Sequence, residues 1–181
     1  MSDIVDEIFD LFSRFGSGGY GEDLSLEQHM LQSALHAQAE GAPDAVVVAA
    51  LLHDIGYFLQ ADRGADPQAA IDFQHELIGA AWLSRGFDAR VTAPIALHVQ
   101  AKRYLCAVAP GYFHQLSPAS RLSLAVQGGV MSAAEAEAFT QEDAFDAALL
   151  LRRCDDRGKD AALGDQRLAD YRGLLVAVVR A

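Results

Sequence analysis

The sequence is poor in cysteine, proline and positive charge, and each scarcity excludes something. Its two cysteines, Cys106 and Cys154, form no CxxC pair and no disulfide framework, so both are expected as small buried thiols. Five prolines, none of them in a Pro/Ser-rich stretch, leave no candidate linker, and there is no internal repeat. Lys and Arg number 14 against 25 Asp and Glu, a net charge of -11, and they form no dense stripe. That argues against a nucleic-acid surface. It leaves room for a small anion, because a few buried cations can dominate locally over an acidic exterior. No apolar run approaches the roughly 20 residues that span a bilayer. Residues 46–52 are too short, and His53-Asp54 ends them. The acidic opening, residues 1–10, has neither the basic nor the apolar region of a signal peptide, so the expected location is cytoplasmic, with no membrane partner.

What the chain has is helical periodicity, over a length that suits one domain, residues 1–181. Ile4, Ile8, Leu11, Phe12 and Phe15 recur at helical spacing and run into the Gly16-Ser17-Gly18-Gly19 loop. Ser25 with Gln28 reads as a capping box that opens a helix to about Ala39. Asp44 opens an Ala/Val/Leu helix that ends in Leu51-Leu52-His53-Asp54. Further helices are predicted over 69–85, stopping at Gly86, and over 91–105, with Pro94 in the first turn where proline is tolerated. Residues 109–116 read as irregular. Ser117 and Ser132 each precede a helical pattern, the second with Glu135 in capping-box position, and helices over 143–155 and 166–179 close an all-α chain.

Six histidines are present, and most fall where the periodicity faces inward. An adjacent His53-Asp54 pair at the end of a wholly apolar helix is costly unless something binds it. Alone it says little, but it has company. His29 lies among Leu26, Met30 and Leu35; His75 precedes Leu77 and Ile78; His98 follows Ile95 and Leu97; Asp155 ends the run Ala147-Ala148-Leu149-Leu150-Leu151. Several desolvated imidazoles and carboxylates need common compensation, which a metal cluster supplies. Imidazole and carboxylate without thiolate suit Fe, Mn or Zn. Asp54, flanked by candidates for two ions, is the natural bridge. His36 has no acidic partner nearby and His114 sits in the irregular segment, so neither joins the set.

The order His29 … His53-Asp54 … His75 … His98 … Asp155 resembles the two-metal form of the HD-domain superfamily, a helical bundle. The segments Ser25-Leu26-Glu27-Gln28-His29-Met30-Leu31-Gln32-Ser33-Ala34, Ala49-Ala50-Leu51-Leu52-His53-Asp54-Ile55-Gly56, Leu97-His98-Val99-Gln100-Ala101-Lys102-Arg103-Tyr104-Leu105 and Gln127-Gly128-Gly129 narrow it. With Leu116-Ser117-Pro118-Ala119-Ser120-Arg121 and Leu151-Arg152-Arg153-Cys154-Asp155-Asp156, they resemble the phosphonate-degrading HD-domain oxygenases of the PhnZ and TmpB type, distant relatives of myo-inositol oxygenase. The resemblance runs from about Ile4 to Lys159. It implies a mixed-valent diiron oxygenase (Fe2+/Fe3+) that cleaves a C–P bond with O2. His29, His53, Asp54 and Asp155 would hold the first iron, and His75 and His98 would hold the second across bridging Asp54. The substrate would be a 1-hydroxy-2-(amino or trimethylamino)ethylphosphonate, chelating the first iron. O2 would be activated at the second, and the products would be glycine or glycine betaine with phosphate.

The residues support an anion pocket independently. Lys102 lies one helical turn after His98, and Arg152 one turn before Asp155, so each shares a face with a candidate ligand. An ammonium and a guanidinium fork suit a phosphonate dianion. By resemblance, Ser120 and Ser123 contact the phosphonate; Lys159 is counted with the substrate-binding residues, although it and Arg121 match less informatively. Tyr20 and Glu22 resemble the family's mobile tyrosine and glutamate, the tyrosine occupying an iron position at rest. Relatives place two residues between them; here Gly21 alone intervenes, and Glu22 keeps the offset to His29. Where relatives read His-Asp-Ile-Gly-His, this chain ends the motif in Tyr57, beside the expected O2 and substrate site. A phenol still hydrogen-bonds but offers no imidazolium near neutral pH. The alternatives are a metal-dependent HD phosphohydrolase, an oxygenase of another substrate such as a polyol, and a non-catalytic scaffold.

Overall fold

A computed structural model describes residues 3–19, 24–64, 74–163 and 165–180. Asp3 caps α1 (Ile4–Phe15), whose Ile4, Val5, Ile8, Leu11 and Phe12 face inward at helical spacing. The capping box of Ser25 and Gln28 forms as expected and opens α2 (Leu26–Ala39). Helix α3 (Asp44–Leu52) is apolar all round, and all seven residues from Val46 to Leu52 are buried. It runs through the middle of the fold, packed against α2 and against helices over Ala89–Val108, Phe145–Arg157 and Arg172–Val178. A turn at His53-Asp54 leads into α4 (Ile55–Asp62), and α5 (His75–Leu83) follows. Then come α6 (Ala89–Val108), the single turn α7 (Tyr112–Gln115), α8 (Pro118–Val126), α9 (Ala133–Phe139) and α10 (Phe145–Arg157). A 3-10 turn over Leu168–Tyr171 leads into α11 (Arg172–Val178). No strand occurs among the described residues, only an isolated bridge between Gly19 and Ser25. The chain is all-α, as its periodicity indicates.

One buried cluster extends from Ile4 to Leu175 and joins α1 to α6 with α10 and α11. Burying a Leu or Ile side chain is worth about 1.5–3 kcal/mol, and Leu51, Leu52, Ile55, Leu83, Ile95, Leu151 and Leu175 are all fully enclosed. A smaller cluster of Ala101, Met131, Ala136, Phe139 and Ala148, with the rings of Tyr104 and Phe145, fastens α9 to α6 and α10.

Several boundaries differ from the sequence expectation for identifiable reasons. Helix α6 begins at Ala89, because the Asp88 carboxylate caps the Arg90 amide; Pro94 therefore sits inside the helix rather than in its first turn. Helix α5 begins only at His75, because Gln74 is left-handed (φ 50°) and interrupts any helix entering from upstream; residues 69–73 of the expected helix lie outside the described residues. The sequence expectation ends the apolar helix at His53-Asp54 and gives no helix over residues 55–62, where α4 stands. Together, residues 44–62 are long and apolar enough to cross a membrane by composition, but 72% of that window is buried inside the fold, as a core helix requires.

Candidate metal centre

The turn between α3 and α4 places the first two ligand candidates. His53 ends α3, and Asp54 occupies the N-cap position of α4. An N-cap aspartate ordinarily gives its carboxylate to an amide of the first turn; Asp54 makes no such bond. Its oxygens face four imidazoles instead. Helix α2 brings His29, the start of α5 brings His75, and α6 brings His98, all buried beside Asp54.

The carboxylate of Asp54 is shared between two pairs. Its Oδ2 lies 3.7 Å from His29 Nε2 and 3.5 Å from His53 Nε2. Its Oδ1 lies 3.1 Å from His75 Nε2 and 3.7 Å from His98 Nε2. Within each pair the Nε2 atoms are close, 3.1 Å for His29 and His53 and 3.2 Å for His75 and His98.

Three of these rings are oriented from behind by main-chain carbonyls. Nδ1 of His29 lies 2.8 Å from the Gly158 carbonyl oxygen, His53 Nδ1 2.8 Å from that of Ala50, and His98 Nδ1 2.8 Å from that of Ile95. A carbonyl only accepts, so the ring proton sits on Nδ1 and the Nε2 lone pair points into the centre. Burial, outweighing the nearby carboxylates, holds His53 below its ordinary pKa; burial, then His75 and His53, hold His98 well below its own. Two bare nitrogen lone pairs about 3 Å apart repel unless a cation lies between them. The groups His29–His53–Asp54 and Asp54–His75–His98, each with donor atoms within 4.8 Å of one another, fit a metal ion on either side of the aspartate.

Asp155, at the end of α10, faces the first pair, with Oδ1 3.4 Å from His29 Nε2 and Oδ2 3.8 Å from His53 Nε2. Arg152, one turn back, grips the same carboxylate, Nη1 to Oδ2 at 2.7 Å. Against the effect of burial, the Arg152 guanidinium holds Asp155 well below the carboxylate range. The expectation that Arg152 shares a face with Asp155 is met, and the result is that much of its fork is spent there. Nη2 pairs with Asp156, and Nε donates to the Tyr112 hydroxyl at 3.2 Å; that hydroxyl donates to Asp156.

A polar cavity of about 80 Å³ opens beside this centre, lined by Asp54, Tyr57, His75, His98 and Asp155. Lys102, Ser120, Ser123, Gln127, Arg152 and Lys159 line it as well. Lys102 Nζ donates to Ser123 Oγ (2.8 Å) and to Gln127 Oε1 (2.6 Å), and Lys159 Nζ donates to Ser120 Oγ (2.7 Å). Three cations thus surround a small space in a protein of net charge -11. The Tyr57 ring stacks on His75, centroids 4.2 Å apart and planes at 15°.

The chain is similar to three curated proteins. A hydroxymethylphosphonate dioxygenase of Gimesia maris is 42% identical over 168 residues, 92% of this chain and 84% of the relative. A [1-hydroxy-2-(trimethylamino)ethyl]phosphonate dioxygenase (glycine-betaine-forming) of Leisingera caerulea is 40% identical over 169 residues, 93% of this chain and 85% of the relative. The chain belongs to the phosphonate dioxygenase family. An uncharacterised protein of Acanthamoeba polyphaga mimivirus is 34% identical over 175 residues. No protein-family model matches the chain.

The structure brings His29, His53, Asp54, His75, His98 and Asp155 together, with Lys102, Ser120, Ser123, Arg152 and Lys159 beside them. His36 bonds the Arg157 carbonyl and His114 packs on Phe113, both apart from the centre, and Arg121 is exposed. Tyr20 and Glu22 lie outside the described residues. Gln127, Tyr112 and Asp156 were not anticipated, nor was Gln32. The Gln32 amide donates to the carbonyls of Asp160 (2.7 Å) and Leu163 (2.6 Å) and accepts from the Asp160 amide, which secures the segment carrying Lys159 to α2. A buried glutamine on an amphipathic helix was the available signal. The cysteines are free, Cys154 buried and Cys106 partly so.

Proposed function

We propose that this chain is a diiron oxygenase that cleaves the C–P bond of a 1-hydroxyphosphonate with O2, releasing phosphate and a carboxylate. The observation that carries the reading is the division of Asp54 between two histidine pairs, next to a cavity walled by three cations. His29, His53, Asp54 and Asp155 would hold one iron, and Asp54, His75 and His98 the other. A mixed-valent Fe2+/Fe3+ pair supplies the one-electron chemistry with O2 that a C–H bond requires and that no side chain here provides. Relatives named for hydroxymethylphosphonate and for 1-hydroxy-2-(trimethylamino)ethylphosphonate support a substrate of this class, with glycine betaine, or glycine from the 2-amino compound, as product of the longer ones.

The chain's own part is binding and orientation. Lys102 and Lys159, with the hydroxyls of Ser123 and Ser120 that they hold, and the remaining N–H groups of Arg152 take the phosphonate oxygens. That places the carbon bearing the hydroxyl towards the histidines. The Tyr57 phenol, stacked on His75, closes the wall nearest the second pair.

The test is phosphate release from 1-hydroxyphosphonates by the iron-loaded protein, with O2 uptake followed in parallel. Release should require O2 and match its consumption. Undiminished release under strict anaerobiosis, or with zinc or magnesium alone, would overturn the oxygenase in favour of a phosphohydrolase.

A further inference from the structure

Lys159, one of the three cations at the cavity, stands on a short stretch of irregular chain after α10. None of residues 159–163 is buried, so apolar burial does little to hold them in place. What holds them is α2. On one side of the lysine, Gly158 lies against that helix so closely that an added Cβ would stand 2.5 Å from Ser33 Oγ and 2.9 Å from the His29 carbonyl oxygen. On the other side, Gln32 grips the main chain three times. Its amide donates to the carbonyls of Asp160 (2.7 Å) and Leu163 (2.6 Å), and its oxygen accepts from the Asp160 N–H (3.0 Å). Lys159 is thus pinned between two contacts with one helix, and its ammonium reaches Ser120 Oγ on α8.

Gln32 lies one turn beyond His29 on the same side of α2 and is 1% exposed. A buried carboxamide is costly unless it is paired, and all three of these bonds go to the chain just past a single lysine. Gln32 is not among the residues that line the cavity. A lysine side chain has much rotamer freedom to lose when it engages a ligand, and a loose backbone beneath it adds to what binding must freeze. We propose that Gln32 is a positioning residue for phosphonate binding: by fastening the chain next to Lys159, it presents the ammonium to the cavity already aimed.

This rests on the cavity being a phosphonate site, as read above, and the test keeps the two apart. Hydroxymethylphosphonate is titrated calorimetrically into iron-loaded protein held free of O2, and exchange of the Asp160 amide hydrogen is followed in parallel. In Gln32→Met the amide should lose protection and Kd should rise about 2- to 10-fold, with KM carrying the loss and kcat close to that of the parent. Iron content should hold, because the Gly158 N–H is fastened separately to the carbonyls of Cys154 and Asp155, which keeps its own carbonyl behind His29. Gln32→Met combined with Lys159→Ala shows whether the effect passes through the lysine: the pair should bind no more weakly than Lys159→Ala alone. Gln32→Glu, which keeps the bond from the Asp160 N–H and sets an acceptor against both carbonyls, should repeat the rise in Kd if the Met variant does not fold. An unchanged Kd overturns the proposal whether or not the amide stays protected. So do losses that multiply in the double variant, and so does a loss of iron that accompanies the weaker binding, which would make Gln32 a support of α2 alone. A parent protein that takes up no hydroxymethylphosphonate would instead sink the phosphonate reading itself.

Discussion

A Cβ built on Gly56 would stand 2.0 Å from the carbonyl oxygen of His75, so the backbone of α4 rests directly on the first turn of α5. Helix α4 begins immediately after Asp54, and this contact therefore sets how close His75 comes to the shared carboxylate. Gly79, one turn into α5, adds to the approach: its Cβ would lie 3.2 Å from the Gly56 nitrogen. Two glycines thus bring a ligand candidate from each helix to one point.

The substitution Gly56→Ala tests that contact by the sign of its effect. Within an open helix, alanine would stabilise by up to about 1 kcal/mol. Here the added methyl must push α5 away, which should cost about 1–3 kcal/mol or more. Urea unfolding should show a lower midpoint, and metal analysis should show loss of the ion on the His75 side before the other. A variant as stable as the parent and fully loaded would contradict the account.

Asp54→Ala should remove both ions rather than one. Each oxygen of this carboxylate faces a different histidine pair, so neither half of the donor set survives its loss intact. Iron determination on anaerobically prepared protein is the measurement, and two irons per chain in the variant would rule out the shared role.

Much of this centre was legible because helical spacing fixes faces. His98 and Lys102, four residues apart, do point to one side of α6, and Arg152 and Asp155 do meet on α10. What spacing does not disclose is what a side chain finds there. Arg152 reads as a fork for the substrate, yet the carboxylates of Asp155 and Asp156 are nearer and take much of it. The carbonyls of Gly158, Ala50 and Ile95 that orient three imidazoles carry no residue signature at all, since any residue supplies a carbonyl. The left-handed Gln74 that delays α5 is equally silent, because turns of that kind ordinarily show glycine or asparagine.

Lys102 should give phosphonate binding a pH dependence of its own. Burial, reinforced by Arg152, lowers its ammonium from the ordinary lysine range to about 7. The cation is therefore present below that pH and lost as the pH rises through it. Charged hydrogen bonds of this kind are worth about 1.5–3 kcal/mol, roughly 10- to 150-fold in affinity. Lys102→Ala should weaken binding by that order at pH 6 and leave metal content unchanged. The ratio of variant to parent Kd, which cancels the titration of the ligand, should shrink above pH 8. A ratio near one at every pH would remove Lys102 from the anion site.

Tyr112→Phe removes one oxygen from the support of Arg152. The hydroxyl accepts from Arg152 Nε and donates to Asp156, which itself pairs with Nη2, so with Asp155 on Nη1 three groups hold the guanidinium. Burial, with Asp156 adding to it, raises the Tyr112 pKa, and the phenol stays protonated as this network requires. Without it, a buried Nε–H is left unpaired at a cost of about 1–3 kcal/mol. The salt bridge from Nη1 to Asp155 remains, so the metal content should hold. The remaining fork N–H groups lose their fixed direction, and the KM for phosphonate should rise about tenfold while kcat changes less. If KM stays at the parental value, the guanidinium does not need Tyr112, and its two carboxylates alone determine where it points.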